Sequence, residues 1–157
     1  MSMEFCNTLS EAQIVTDLRA KNRWQAIDEL INNLVEAGKL RPEDRGAITA
    51  VVRKRETSMS TGIGLGIGIP HASTDLIPAA VASLGRSTSG IEFDALDGQP
   101  VRLVILILIP QGQFQRHLHT VAQIAKLLHK AEFRRALEQA PDAAAMLQII
   151  KGQRPAA

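Results

Sequence analysis

The chain has 157 residues, with eighteen basic and sixteen acidic side chains, a formal charge of +2, 45% hydrophobic residues and 3% aromatic ones. That length suits one domain, 1–157, with an aliphatic core, and the mix of apolar and charged residues excludes intrinsic disorder. The basic groups are scattered apart from Arg53-Lys54-Arg55 and lack interleaved aromatics, which argues against a nucleic-acid-binding surface.

Residues 1–10 lack a basic segment followed by an apolar run, so they do not read as a secretory signal. Cys6 is the only cysteine, which rules out an internal disulfide and fits a cytoplasmic thiol. Residues 1–20 are a weakly patterned lead-in. From Arg23 the spacing of Ile27, Leu30, Ile31, Leu34 and Val35 predicts a helix. Asn22 with Gln25 reads as its capping box and Gly38 as its C-terminal cap. A second helix is predicted from Pro42, with an apolar stripe of Ala47, Ile48, Val51 and Val52.

The chain then changes character. Gly62, Gly64, Gly66 and Gly68 alternate with Ile63, Leu65, Ile67 and Ile69, and Pro70 stops the run at His71. Period two predicts an extended segment, and the glycines predict backbone passing close to something. Short strands are predicted at 80–85 and 91–95, and Asp97-Gly98 marks a turn. Residues 101–109 are apolar apart from Arg102, as in a strand buried on both faces, and fall far short of the ~20 residues of a membrane helix. Pro110 ends the run. Helices follow at 118–128, 132–139 and 142–151. Helices on both sides of a block of strands predict an α/β sandwich.

The glycine run does not bind a nucleotide by any familiar pattern. No Lys follows for a phosphate loop, and Ile67, Ile69 and His71 in turn occupy the third glycine position of the dinucleotide pattern. Close packing is the remaining reading. No Gly-x-Ser-x-Gly elbow supports a serine nucleophile. His117 and His119, two apart on a helix, point to different faces and cannot share a metal ion. His117 falls near a helix start, where it could meet an anion or simply be solvated. His119 and His129 are taken as structural or surface residues. His71 has a distinctive address, after a proline at a strand end, where α/β folds tend to meet ligands.

Three blocks resemble a known family, the enzyme IIA domains of the fructose, mannitol and nitrogen-regulatory class of the bacterial phosphotransferase system. Ser60-Thr61-Gly62-Ile63-Gly64 through Gly68-Ile69-Pro70-His71 is similar to that family's active-site signature. Ile91-Glu92-Phe93-Asp94-Ala95-Leu96-Asp97-Gly98-Gln99-Pro100-Val101 resembles its next block, and His117-Leu118-His119-Thr120 with Ala122, Ala125-Lys126 and Leu128 its third. The likeness runs over about 23–150, with the blocks in family order and spacing.

The resemblance implies a mixed central sheet flanked by helices on both faces. It implies that His71 is phosphorylated, usually through Nε2, that His117 is the second active-site histidine, and that Arg55 is an arginine of the family pattern near the site. It implies a phosphocarrier of the HPr type as donor, with no metal or organic cofactor. Downstream stands an enzyme IIB, or a regulated kinase or transporter. A neutral imidazole is a competent nucleophile at pH 7, and a protein that moves a phosphoryl group mainly positions it and neutralises its oxygens.

One departure stands out: many relatives, nitrogen-regulatory ones in particular, have Asn where this chain has Leu65. If that position needs φ > 0, Leu is strained by about 1–2 kcal/mol. The absence of a fused transport domain and the His117-Leu118-His119-Thr120 block favour a freestanding nitrogen-type regulator. Leu65 and His71-Ala72 favour a sugar-specific enzyme IIA passing phosphate to an enzyme IIB. A third expectation is a protein-binding module for which phosphorylation is only a switch.

Overall fold

The computed structural model of the chain describes residues 8–152; Cys6 and the segment 153–157 lie outside the described residues. The lead-in contributes more than its weak pattern predicts. It forms an edge strand, β1 (Ile14–Val15), parallel to Leu84 and Gly85 of a later strand. The buried Gln13 fastens it, donating through Nε2 to the carbonyls of Thr8 (2.6 Å) and Ala82 (2.8 Å). A lone polar residue gives little periodic signal, so this anchor cannot be read from pattern.

Helix α1 (Arg23–Glu36) buries Ile27, Leu30, Ile31 and Leu34 completely. Asn22 caps it, accepting from the Gln25 N–H at 2.9 Å, while the Gln25 side chain reaches one residue beyond a standard capping box, to the N–H of Lys21. Gly38, at φ 75°, ends it in a Schellman arrangement: its N–H bonds to the Val35 carbonyl and that of Lys39 to the Leu34 carbonyl. A 3₁₀ turn, Pro42–Asp44, leads into α2 (Arg45–Ser58). Its predicted stripe needs correcting. Ile48 and Val52 are buried, but Ala47 and Val51 face outward, and the stripe continues to Glu56. The i, i+4 spacing of 48, 52 and 56 defines a narrower face than the apolar residues suggest.

The glycine run is two arms of a hairpin rather than one extended piece. β2 (Gly62–Gly64) pairs antiparallel with β3 (Ile67–Gly68). Between them Leu65 (φ 60°) and Gly66 (φ 79°) form a two-residue turn with both φ positive, as a type I′ turn requires. After Pro70 comes β4 (His71–Thr74), then β5 (Val81–Ile91) and β6 (Val101–Pro110). The predicted strand at 80–85 thus runs on to Ile91 through a register shift beyond Arg86, and 91–95 forms no second strand. That segment is what the glycines approach. A Cβ on Gly68 would lie 2.8 Å from Cζ of the fully buried Phe93, and one on Gly62 would lie 2.8 Å from Cβ of Ala95. The Asp97-Gly98 turn closes with the Gly98 N–H on the Ala95 carbonyl.

The sheet runs β1-β5-β6-β3-β2, with β4 also beside β6, and it is mixed: β1 is parallel to β5, β3 and β4 are parallel to β6, and β5 is antiparallel to β6. β6 is buried on both faces as its apolar run predicts. Leu103, Ile105, Ile107 and Ile109 face one core, and Val104, Leu106 and Leu108 face the other with α1 and α2. The first core is closed by α3 (Phe114–Leu128), α4 (Ala131–Gln139) and α5 (Ala143–Lys151). The α/β sandwich with helices on both faces is therefore the observed fold. Among the described residues no helix is long and apolar enough to cross a membrane.

Candidate functional site

His71 opens β4 and lies in register with Ile107 of β6, whose other neighbour in that row is Ala82 of β5. The next residue, Ala72, belongs to the core under α1 and α2. Strand alternation therefore turns His71 to the other face, where α3 begins, and its ring stacks on Phe114 with centroids 6.3 Å apart and planes 26° apart.

The ring is oriented by backbone. Its Nδ1 stands 2.8 Å from the carbonyl oxygen of Ile69. A carbonyl can only accept, so Nδ1 carries the proton and the Nε2 lone pair is left over. Pro70 holds the chain between the two residues. Burial pushes the imidazole below its ordinary pKa; the Ile69 bond opposes this, the Arg55 charge lowers it further and that of Glu56 raises it. The neutral form, with Nε2 unprotonated, is the one the site favours.

His71 lines an open cleft of about 440 Å³ at the edge of the sheet. From α2 come Val51, Lys54, Arg55 and Ser58, from β4 Ser73, and from α3 Phe114. Two cations and two hydroxyls around one imidazole suit an anion bonded to that ring, and Val51 and Phe114 give the rim an apolar edge.

His117 does not line that cleft. It is 9% exposed and faces a small cavity with Ala82, Ile107, Thr120 and Ile124. Since Ile107 is also the register partner of His71, the two histidines flank the same residue on the same face of the sheet. The helix begins at Phe114, earlier than predicted, so the backbone N–H of His117 is used within it, on the Gln113 carbonyl at 3.2 Å. His117 is buried rather than solvated. His119 and His129 are exposed, the first 2.9 Å from the Gln123 amide and the second bonded to the Ala125 carbonyl. The burial of His117 beside the exposure of His119 bears out their opposite faces.

Three contributors are missing from the sequence reading: the Ile69 carbonyl, Phe114 and Glu56. Glu56 did carry a signal, being a carboxylate four residues beyond Val52 on an apolar stripe. Nothing local distinguishes Phe114 or a main-chain oxygen.

Residues 7–153 match the family described as "Phosphoenolpyruvate-dependent sugar phosphotransferase system, EIIA 2". The fructose-specific EIIABC component of Bacillus subtilis is 36% identical over 94% of this chain, which spans 23% of that longer protein's length. The nitrogen regulatory protein of Bradyrhizobium diazoefficiens is 30% identical, over 94% of this chain and 95% of its own. In fold, the chain superposes on the crystal structure of the nitrogen regulatory protein IIA-Ntr from Neisseria meningitidis with a TM-score of 0.85, at 24% identity, over 94% of this chain and 99% of that one.

Proposed function

The chain belongs to the EIIA 2 family of the phosphoenolpyruvate-dependent sugar phosphotransferase system, and on that premise we propose that it is a histidine phosphoryl carrier whose accepting atom is Nε2 of His71. The observation that carries this reading is the Nδ1–H bond to the Ile69 carbonyl, which leaves Nε2 as the ring's lone pair, on a histidine that shares its cleft with Arg55 and Lys54.

In the forward step the Nε2 lone pair attacks phosphorus on a phosphohistidine donor of the HPr type. The new N–P bond forms as the donor's N–P bond breaks, and the donor nitrogen recovers its electron pair. No proton need move, because the proton stays on Nδ1, donated to the Ile69 carbonyl. The phosphorylated ring then carries positive charge, which keeps it a good leaving group for onward transfer. Arg55 and Lys54 offset the phosphoryl charge, and His117, reached across Ile107, donates to a phosphoryl oxygen.

The type we favour is a cytoplasmic nitrogen-type regulator acting on a kinase or transporter. Its support is the sequence likeness to a nitrogen regulatory protein. A sugar-specific enzyme IIA passing phosphate to an enzyme IIB is the second reading, favoured by the fructose-specific relative.

The test is incubation with phosphoenolpyruvate, its protein kinase and an HPr-type carrier, read by intact mass. One acid-labile, base-stable phosphoryl group is expected, and none on His71→Ala. Labelling that survives in His71→Ala overturns the assignment. Ready passage of the group to a fructose-type enzyme IIB and on to sugar replaces the regulator reading with the transport reading.

A further inference from the structure

Phosphoryl transfer to His71 makes no direct use of Glu56, yet this carboxylate is 1% exposed. Burying an anion is costly unless donors surround it. Here Oε1 accepts from the Thr61 hydroxyl at 2.7 Å, and Oε2 accepts from the Thr61 N–H at 2.8 Å and from Nη1 of Arg23 at 3.4 Å. Neither helix stability nor packing accounts for it. Glu56 sits in the last turn of α2, where the helix dipole disfavours an anion, and on a stripe where an apolar residue would fill the core.

What the carboxylate holds leads directly to the nucleophile. Thr61 is the residue before β2, and its carbonyl accepts from the Ile69 N–H at 3.0 Å. The Ile69 carbonyl in turn accepts from Nδ1 of His71 at 2.8 Å. One continuous set of hydrogen bonds thus runs from Glu56 through both ends of the glycine hairpin to the ring. We propose that Glu56 is the positioning residue of the site: by clamping Thr61 it fixes the Ile69 carbonyl, and so holds His71 in the Nδ1–H tautomer with Nε2 available. This rests on the reading of His71 as the accepting residue. Glu56 does not line the cleft and acts on the ring through Thr61 and Ile69. The same helix turn sends Arg55 into the cleft and Glu56 behind it, so one short segment serves both the front and the back of the imidazole.

The test uses the full chain and three variants, Glu56→Gln, Glu56→Ala and Thr61→Val. Long-range ¹H–¹⁵N NMR on the unphosphorylated protein reads the His71 tautomer. Wild type should be mainly Nδ1–H, Glu56→Ala should shift toward a mixture, and Glu56→Gln, which keeps one acceptor for Thr61, should fall between. Thr61→Val, which keeps the N–H bond and loses the hydroxyl, should also be intermediate. Transfer from the phosphorylated carrier should lose about 10- to 100-fold in kcat with little change in KM, as for a misplaced reacting group. If Glu56→Ala does not fold, the two milder variants decide. Wild-type tautomer and wild-type kcat in both of them, with native circular dichroism, overturn the proposal. Because the tautomer is read without phosphate, unlabelled wild-type protein overturns the His71 assignment alone, whereas an unchanged tautomer with normal labelling overturns only the role of Glu56.

Discussion

Leu65 is the position where the backbone and the side chain disagree. Its φ of 60° lies in the left-handed region, inside a two-residue turn that cannot relax without breaking the β2–β3 pairing. A residue with a Cβ costs about 1–2 kcal/mol there, Asn less and Gly essentially nothing. Truncating Leu65 also removes apolar contact. The residue is 46% exposed, so roughly half of the ~1.5–3 kcal/mol for a fully buried leucine is at stake, about 1 kcal/mol. Leu65→Ala loses that contact and keeps the strain, and should destabilise by about 1 kcal/mol. Leu65→Asn loses the same contact and relieves most of the strain, and should come out near wild type or slightly above it. Leu65→Gly relieves the strain fully but loosens the unfolded chain by about 0.5–1 kcal/mol, which sets it close to Asn. The Leu65 N–H bond to the Asp97 carboxylate at 3.1 Å is a main-chain bond that all three variants retain. The Asn–Ala gap of about 1 kcal/mol therefore isolates the backbone strain, and amounts to about 2–4 °C in Tm for a domain of this size. Urea unfolding with a common slope measures it. If Leu65→Ala is as stable as Leu65→Asn, the strain account is wrong.

His117→Ala should slow phosphoryl transfer by roughly 10²–10³-fold in quenched-flow assays, as for loss of one oxyanion donor; a wild-type rate would leave His117 a packing residue only. Because His71 is shifted below its ordinary value, chiefly by burial, its phosphoryl-accepting rate should stay level as pH falls through ~6.5 and drop only below that. The unfolded chain binds the extra proton first, so the His71 contribution to stability is complete above the unfolded pKa and is lost as pH falls toward the folded one. Arg55→Gln removes a charge that opposes protonation, so an NMR titration of His71 should move to higher pH; no movement would remove Arg55 from the site. Gly68→Ala would push a Cβ to 2.8 Å from the Phe93 ring and should cost about 1–3 kcal/mol by denaturant unfolding. Adding Phe93→Leu should recover part of that loss, and strict additivity of the two changes would show that they do not touch.

Local pattern carries much of this protein because much of its chemistry is local. The spacing of Ile27, Leu30, Ile31 and Leu34 fixes the buried face of α1, and Asn22 and Gly38 mark its ends through bonds spanning only a few residues. The run from Val101 is apolar on both alternating sets, so β6 can only be a central strand. His71 stands out for the same reason, since Pro70 and the glycine alternation are written next to it.

What the linear chain left undecided depends on partners far away in sequence. Val51 has the same apolarity as Val52, and only the packing of α2 on β4 and α1 decides that one lines the cleft while the other is buried. The glycine alternation suits an extended strand and a hairpin equally well; Phe93 and Ala95, some thirty residues on, select the hairpin by filling the space the glycines leave. His71 and His117 come to flank Ile107 only because β4 and β5 both pair with β6 and α3 crosses above them. Residue identity determined which groups can carry a charge or accept a phosphoryl group. Burial and register, which are properties of the assembled sheet and its two cores, decided which side chains share the cleft with His71, while the Ile69 carbonyl two residues away decided which ring nitrogen keeps its proton.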